Sequence, residues 1–177
     1  ALLLRCIGIA SSSLWYDEGW SVHLAELPWA QALALIRSPG HTHPPAYYAL
    51  LWGWVRICGS SVLAVRLLSA LLGWLGVAAL YGLGRRLFGH WVGWGAASLL
   101  ALSPAHITYS QEARMYALLM TAVTALALAY ATVGVAETRT SRQRWLALAA
   151  VEIVAVYTHY FALFAIAACA IWYLATA

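Results

Sequence analysis

Two adjacent carboxylates, Asp17 and Glu18, stand in the stretch Ser13-Leu14-Trp15-Tyr16-Asp17-Glu18-Gly19-Trp20 and make up a third of the six acidic residues in this 177-residue chain. A carboxylate held just above hydrocarbon is suited to general-base chemistry, because the lowered dielectric strengthens its action on a polar acceptor. Trp15, Tyr16 and Trp20 could seat it against lipid headgroups or stack on a sugar. The plainer alternative is a solvated pair capping a helix, where negative charge helps by about 0.3–1 kcal/mol. Adjacent helical positions point about 100° apart, so one carboxylate is expected to enter a site and the other to support it.

Further along, His41-x-His43-Pro44-Pro45 offers two imidazoles in a loop. Two histidines hold a metal only with further ligands; a hydrogen bond to a phosphate or to the Asp17 region is one alternative, and a structural loop the other. Glu112 and Arg114 stand at the start of an apolar run. Arg is the side chain suited to bidentate phosphate binding, and Glu112 could bind a metal or a sugar hydroxyl, against the plainer reading of an interfacial ion pair. Arg66 lies one turn into an apolar segment, where facing lipid is costly, so it is expected to face a cavity with a phosphate as partner. His159 is a candidate for the phosphate or acceptor site. Glu152, inside another apolar run, has no evident role.

The elements that must position these residues are membrane helices. Hydrophobic residues make up 64% of the chain and charged ones 9%, far below the roughly 25% charged of soluble domains. There is no lysine, and the ten arginines are scattered, which excludes a nucleic-acid-binding stripe. Cys6, Cys58 and Cys169 are far apart and read as small apolar residues. Gly82-x-Gly84 follows no strand, so it suits helix packing rather than a nucleotide loop.

A crossing needs roughly 20 apolar residues. On that measure spans are expected over 62–84, 91–107, 113–136, 145–157 and 160–177, the last two made by splitting a long run at Thr158-His159-Tyr160. Residues 1–10 read as the end of a first span. Residues 11–61 read as a long first external loop carrying short amphipathic helices near 15–25 and 28–37 and a further apolar stretch over 46–57 that is too short to cross. The expected fold class is all-α, a polytopic transmembrane bundle with juxtamembrane helices. The sequence reads as the N-terminal part of a larger catalytic module, with C-terminal spans and any soluble domain outside it. Arg85-Arg86 and the 137–144 loop, two crossings apart, would share the cytoplasmic side by the positive-inside rule. Asp17, Glu18, Glu112, Arg114 and His159 would then all face the exterior.

The ordered set Tyr16-Asp17-Glu18, His43-Pro44-Pro45-Ala46-Tyr47-Tyr48, Val65-Arg66-Leu67-Leu68-Ser69-Ala70, Leu102-Ser103-Pro104, Tyr109 to Leu118 and Tyr157-Thr158-His159-Tyr160-Phe161 resembles the GT-C glycosyltransferase superfamily. It looks closest to bacterial and archaeal relatives of protein O-mannosyltransferases and of the lipid A aminoarabinose transferase. The resemblance implies a multi-pass enzyme of the plasma (inner) membrane that draws on a polyprenyl- or dolichyl-phosphate sugar. It implies an essential acid in the first external loop, matching Asp17 with Glu18 beside it, and a second acidic position matching Glu112. Arg66 matches an arginine of the family, while some relatives carry a lysine at the place of His159.

The expected reaction is transfer of a sugar to an external glycan, lipid or protein acceptor, with Asp17 as general base and inversion in one displacement. Arg66, Arg114, His43 and His159 are expected to bind the donor phosphate. No cofactor is certain, and a divalent cation at Asp17, Glu18 and Glu112 is left open. The alternatives are a lipid-linked sugar transporter or flippase and a non-catalytic membrane subunit. A transporter would distribute polar residues through the membrane depth, whereas here, Glu152 aside, they gather at one face.

Overall fold

The computed structural model describes residues 1–134 and 141–176. Among them every regular element is a helix. The end of the expected span 113–136, the start of the 137–144 loop, and residue 177 lie outside the described residues.

Helix α5, Val62–Phe88, is the spine. Ser61 starts it by accepting a hydrogen bond from the Ala64 N–H at 3.3 Å, the usual way to satisfy an orphan donor of the first turn. Gly89 ends it with φ +93, a left-handed conformation that side-chain-bearing residues rarely adopt. From Arg66 to Arg85 the helix climbs about 29 Å by helical rise, so the two arginine positions lie at opposite ends of one hydrophobic thickness.

α6, His90–Leu102, folds back along α5. Gly84 and Gly93 let the two backbones meet, since a Cβ on Gly84 would stand 2.9 Å from the Gly93 Cα. The continuous span expected over 91–107 is broken after Leu102. Ser103 is extended, with φ −64 and ψ 118, and Pro104 opens a separate helix, α7, Pro104–Ser110. Pro104 lacks the N–H needed to continue α6, and it biases Ser103 away from the helical region. Ser103 then serves as the N-cap of α7, accepting from the His106 N–H.

α8, Tyr116–Gly134, packs along α5, and α9, Arg142–Thr158, and α10, Ala162–Thr176, pack on α8. Only α5 and α8, among the described residues, are long and apolar enough to cross a membrane. α6, α9 and α10 have 13, 17 and 15 residues, short of the roughly 20 that a crossing needs. Between α8 and α9, the Tyr130 hydroxyl donates to Glu152 Oε1 at 2.7 Å, which gives that carboxylate a partner within the helix pair.

The remaining helices gather at the Arg66 end of α5: α1, Leu2–Cys6; α2, Tyr16–Glu26; α3, Trp29–Ile36; and α4, Ala46–Cys58. α4 starts after Pro44-Pro45, where a fixed φ suits helix entry. It buries Tyr47, Tyr48 and Leu51 against Val22, Leu24 and Ala25 of α2 and Val65 and Leu68 of α5. Arg56 on α4 donates to the carbonyls of Ala25 at 2.8 Å and Leu27 at 3.0 Å, closing the C-terminal end of α2. The irregular segment 111–115 enters the same core through Ala113 and Met115.

Candidate active site

The helical period separates the two adjacent acids. Glu18 is fully buried, while the Asp17 side chain is 39% exposed. Glu18 meets Arg66 through two parallel hydrogen bonds, Nε to Oε1 at 2.9 Å and Nη2 to Oε2 at 2.7 Å. Its oxygens also accept from the Ala113 N–H at 2.7 Å and the Trp15 N–H at 3.3 Å. Burial pushes the Glu18 carboxyl up, but Arg66 and the two backbone donors outweigh it and hold the group below its ordinary range. Glu18 therefore stays ionised and fully engaged.

Arg66 is equally engaged. Besides Glu18, its Nη1 donates to the carbonyls of Ile9 at 2.9 Å and Ser12 at 3.0 Å, and its Nη2 to the carbonyl of Ser13 at 3.0 Å. A guanidinium has five N–H groups, and all five meet protein acceptors. The phosphate role expected of Arg66 has no free donor to carry it in this arrangement. What Arg66 does is staple the 9–13 segment and α2 onto α5.

Asp17 looks the other way, into a pocket of about 180 Å³ that it shares with Trp20, His41, His43, Tyr48 and Arg114. Arg114 is 4% exposed, yet its contacts are long: 3.5 Å to Asp17 Oδ2, 3.3 Å to the Asp17 carbonyl and 3.4 Å to Ser21 Oγ. Its Nε has no hydrogen-bond partner among the described residues. Two more buried polar atoms in this pocket lack one as well, the Tyr48 hydroxyl and His41 Nε2. Leaving such a group unpaired costs about 1–3 kcal/mol, and native structures rarely tolerate several together.

His41 and His43 complete the wall, and His159 stands beside His43 without lining the pocket. His43 packs edge-on to His41 and His159, with ring centroids 6.1 and 5.6 Å away. Burial pushes His43 down to about 4, and the Arg114 guanidinium and then the neighbouring His159 and His41 rings add to that against the pull of Asp17. His41 is lowered by burial and by Arg114, against a backbone hydrogen bond at His43. At neutral pH these two rings are thus uncharged donors or acceptors. His159 Nδ1 accepts from the Phe161 N–H at 3.2 Å.

Glu112 is not in this pocket. It lines a second one, of about 250 Å³, together with Glu18 and Arg66. Asp17, Glu18 and Glu112 consequently form no common cation site: they face two pockets, and the Glu18 oxygens are spent. Among the described residues no three His, Cys, Asp or Glu side chains gather as metal ligands.

Sequence reasoning passed over Tyr48, whose signal was only its place on the buried face of α4, and weighed His41 solely as half of a His-x-His pair. It also missed Arg5, fully buried, which donates to His106 Nδ1 at 2.7 Å and to the carbonyls of Ala101 and Leu100 at the end of α6. Its signal was an arginine inside an apolar run.

Comparison with known proteins adds one finding. A family model described as dolichyl-phosphate-mannose-protein mannosyltransferase matches residues 42–177. No curated protein and no solved structure matches the chain.

Proposed function

The chain belongs to the dolichyl-phosphate-mannose-protein mannosyltransferase family, a family of membrane glycosyltransferases of the GT-C type, and from that premise we propose that it transfers a sugar from a polyprenyl- or dolichyl-phosphate donor to an acceptor at the external membrane face, in the pocket shared by Asp17 and Arg114. The observation that carries this reading is the set of unpaired buried polar atoms around Arg114: its own Nε, the Tyr48 hydroxyl and His41 Nε2. The Arg114 Nε–H and the Tyr48 O–H, donors without an acceptor, suit an incoming phosphate whose oxygens accept from both.

In the proposed reaction Asp17 takes the proton from the acceptor hydroxyl or amine. The acceptor atom bonds to the anomeric carbon as the bond from that carbon to the phosphate oxygen breaks, inverting configuration. The electron pair leaves with the lipid phosphate, where Arg114 offsets the growing negative charge and His43 and His159 lend N–H groups. A phosphate leaving group needs no strong general acid. Glu18 and Arg66 take no part in bond making; they fix α2 so that Asp17 keeps its aim. The lipid tail of such a donor would stay in hydrocarbon beside α5 and α8 while its head meets the polar mouth.

The test is an assay of full-length protein in lipid nanodiscs with a panel of polyprenyl-phosphate sugars, read by mass spectrometry. Asp17→Asn is expected to insert normally and to lose roughly 10²–10⁴-fold in turnover, the usual worth of a positioned general base. Turnover equal to the unsubstituted protein would remove Asp17 from the chemistry.

A further inference from the structure

The end of the bundle away from Asp17 carries a groove that the proposed reaction leaves unused. It has a volume of about 280 Å³ and runs between Leu83 and Leu87 of α5, Ala127 and Ala131 of α8, and Ala168 and Trp172 of α10. Leu83 stands about 26 Å from Arg66 by helical rise, so the groove lies nearly a hydrophobic thickness away from the phosphate pocket. Its wall is apolar. The Tyr130 hydroxyl, which also borders it, is spent on Glu152.

The rim at this end is basic. Trp172 reaches the C-terminal end of α8, where a Cβ added to Gly134 would stand 3.6 Å from its ring. There Arg86 follows Leu83 by three positions and leaves the same side of α5 one turn further out. Arg144 Nη1 donates to the Thr132 carbonyl at 3.5 Å, next to Ala131. Arg85, Arg86, Arg142 and Arg144 are all exposed, and the described residues of 83–88 and 129–146 include no carboxylate. In the segment outside the described residues Glu137 and Arg139 cancel in formal charge.

An apolar groove under a cationic rim fits an amphiphile with a hydrocarbon chain and an anionic head. The hollow is near the lower end of ligand-pocket volumes, roughly 300 Å³. It takes a stretch of one chain and leaves the headgroup outside, at the arginines. A second copy of this chain fits poorly, since pairing across the groove would set two arginine rims side by side. A polyprenyl-phosphate donor fits poorly too, because its phosphate is needed at the opposite end.

We propose that this groove binds an anionic diacyl phospholipid of the leaflet on the arginine side, with one acyl chain between α5, α8 and α10 and the headgroup phosphate beside Arg86 and Arg144. The site asks only for the charge of these arginines, which long side chains carry to headgroup level while their stems stay against the helices. α5 and α10 each pack on α8, and the lipid chain adds a contact between them. The site is independent of the sugar-transfer reading.

Native mass spectrometry of full-length protein, released from nanodiscs of equal parts phosphatidylglycerol and phosphatidylcholine, tests it. Phosphatidylglycerol is expected to be retained roughly ten-fold or more over phosphatidylcholine, at about a five-fold gain per arginine near the headgroup. The double variant Arg86→Gln, Arg144→Gln is expected to lose most of that preference. Ala168→Phe fills the groove from an exposed position of α10 and leaves the arginines in place. It is expected to lower retention roughly three-fold or more through lost packing contacts. Equal retention of the two lipids, or retention indifferent to Ala168→Phe in a protein of normal thermal stability, overturns the assignment. Displacement of phosphatidylglycerol by an equal amount of polyprenyl phosphate would hand the groove to the donor's tail. A dimer abolished by Ala168→Phe would hand it to a second copy, and either result overturns the assignment as well.

Discussion

Glu18 and Arg66, 48 positions apart in sequence, meet side-on through two hydrogen bonds of 2.9 and 2.7 Å, with both side chains almost wholly buried. Glu18 is the neighbour of Asp17 on α2, so the pair fixes the stretch of helix that carries Asp17 into the proposed phosphate pocket. Breaking a buried pair by removing one partner costs about 3–5 kcal/mol, because the other charge is left uncompensated. Arg66→Ala and Glu18→Ala should therefore each lower the unfolding midpoint in detergent sharply, and the double substitution should cost less than their sum. Arg66→Lys should not restore the midpoint, since an ammonium cannot make the paired contact. In whatever fraction of Arg66→Lys folds, affinity for polyprenyl phosphate should stay within about two-fold of the unsubstituted protein, as expected of a group that touches no ligand. A large loss of affinity there would restore Arg66 to the phosphate site.

Arg114 should behave in the opposite way. Its polar contacts to Asp17 and Ser21 are between 3.3 and 3.5 Å, and its Nε has no partner among the described residues. Arg114→Gln thus removes little from the folded state but removes the proposed phosphate partner. Polyprenyl-phosphate binding should weaken by roughly 10–100-fold, the range for one hydrogen-bonded charge, with a much smaller shift in the unfolding midpoint than Arg66→Ala gives. Isothermal titration and scanning fluorimetry on the same preparations separate the two effects.

The contrast between these two arginines was not legible in the sequence, where both stand near the start of an apolar run. What decides their roles is distant in the chain: the carbonyls of Ile9, Ser12 and Ser13 that occupy Arg66. The split of Asp17 from Glu18 follows from the helical period alone, but which of them is buried depends on Arg66 and Ala113. Helix entries were easier to read. Pro44-Pro45 marks the start of α4, and the Gly89 turn marks the end of α5, because proline and glycine act through their own backbone. The same local logic applies at Ser103-Pro104, and the uninterrupted apolar run around it hid the break between α6 and α7. Glu112 and Asp17 share an expected membrane face, yet hydropathy carries no information on whether two residues at one face share a pocket.

Packing between α5 and α6 gives a prediction independent of the site. Gly84 and Gly93 approach so closely that a Cβ on Gly84 would lie 2.9 Å from the Gly93 Cα and 3.3 Å from its N. The obstacle is backbone and cannot rotate away. Gly84→Ala should destabilise by about 1–3 kcal/mol through overpacking, and Gly84→Val by more. Gly95, where an added Cβ would meet nothing within 4 Å, is the control: Gly95→Ala should be neutral or slightly stabilising, since alanine favours the helix. Equal midpoints for Gly84→Ala and Gly95→Ala would contradict the close approach.

Protonation supplies the last prediction. His43 is held down to about 4 by burial and then by Arg114, His159 and His41, while Asp17 opposes them. Its NMR titration midpoint in the free protein should accordingly lie near that value, rise in Arg114→Gln, where a positive charge is lost, and fall in Asp17→Asn. Because the folded state binds fewer protons than the unfolded chain between that midpoint and the ordinary histidine range, His43 lowers stability as pH falls through this window and not outside it. A bound phosphate reverses the local field. Its negative charge favours imidazolium, so donor binding should take up a proton in the window and tighten as pH drops from about 7 toward about 5. Calorimetry of binding of a polyprenyl-phosphate sugar, a phosphodiester with no ionisation of its own in this range, near pH ~6 in two buffers of different ionisation enthalpy measures that uptake directly. Uptake should shrink in His43→Gln, and identical heats in both buffers for the unsubstituted protein would show that the imidazoles do not sense the phosphate at all.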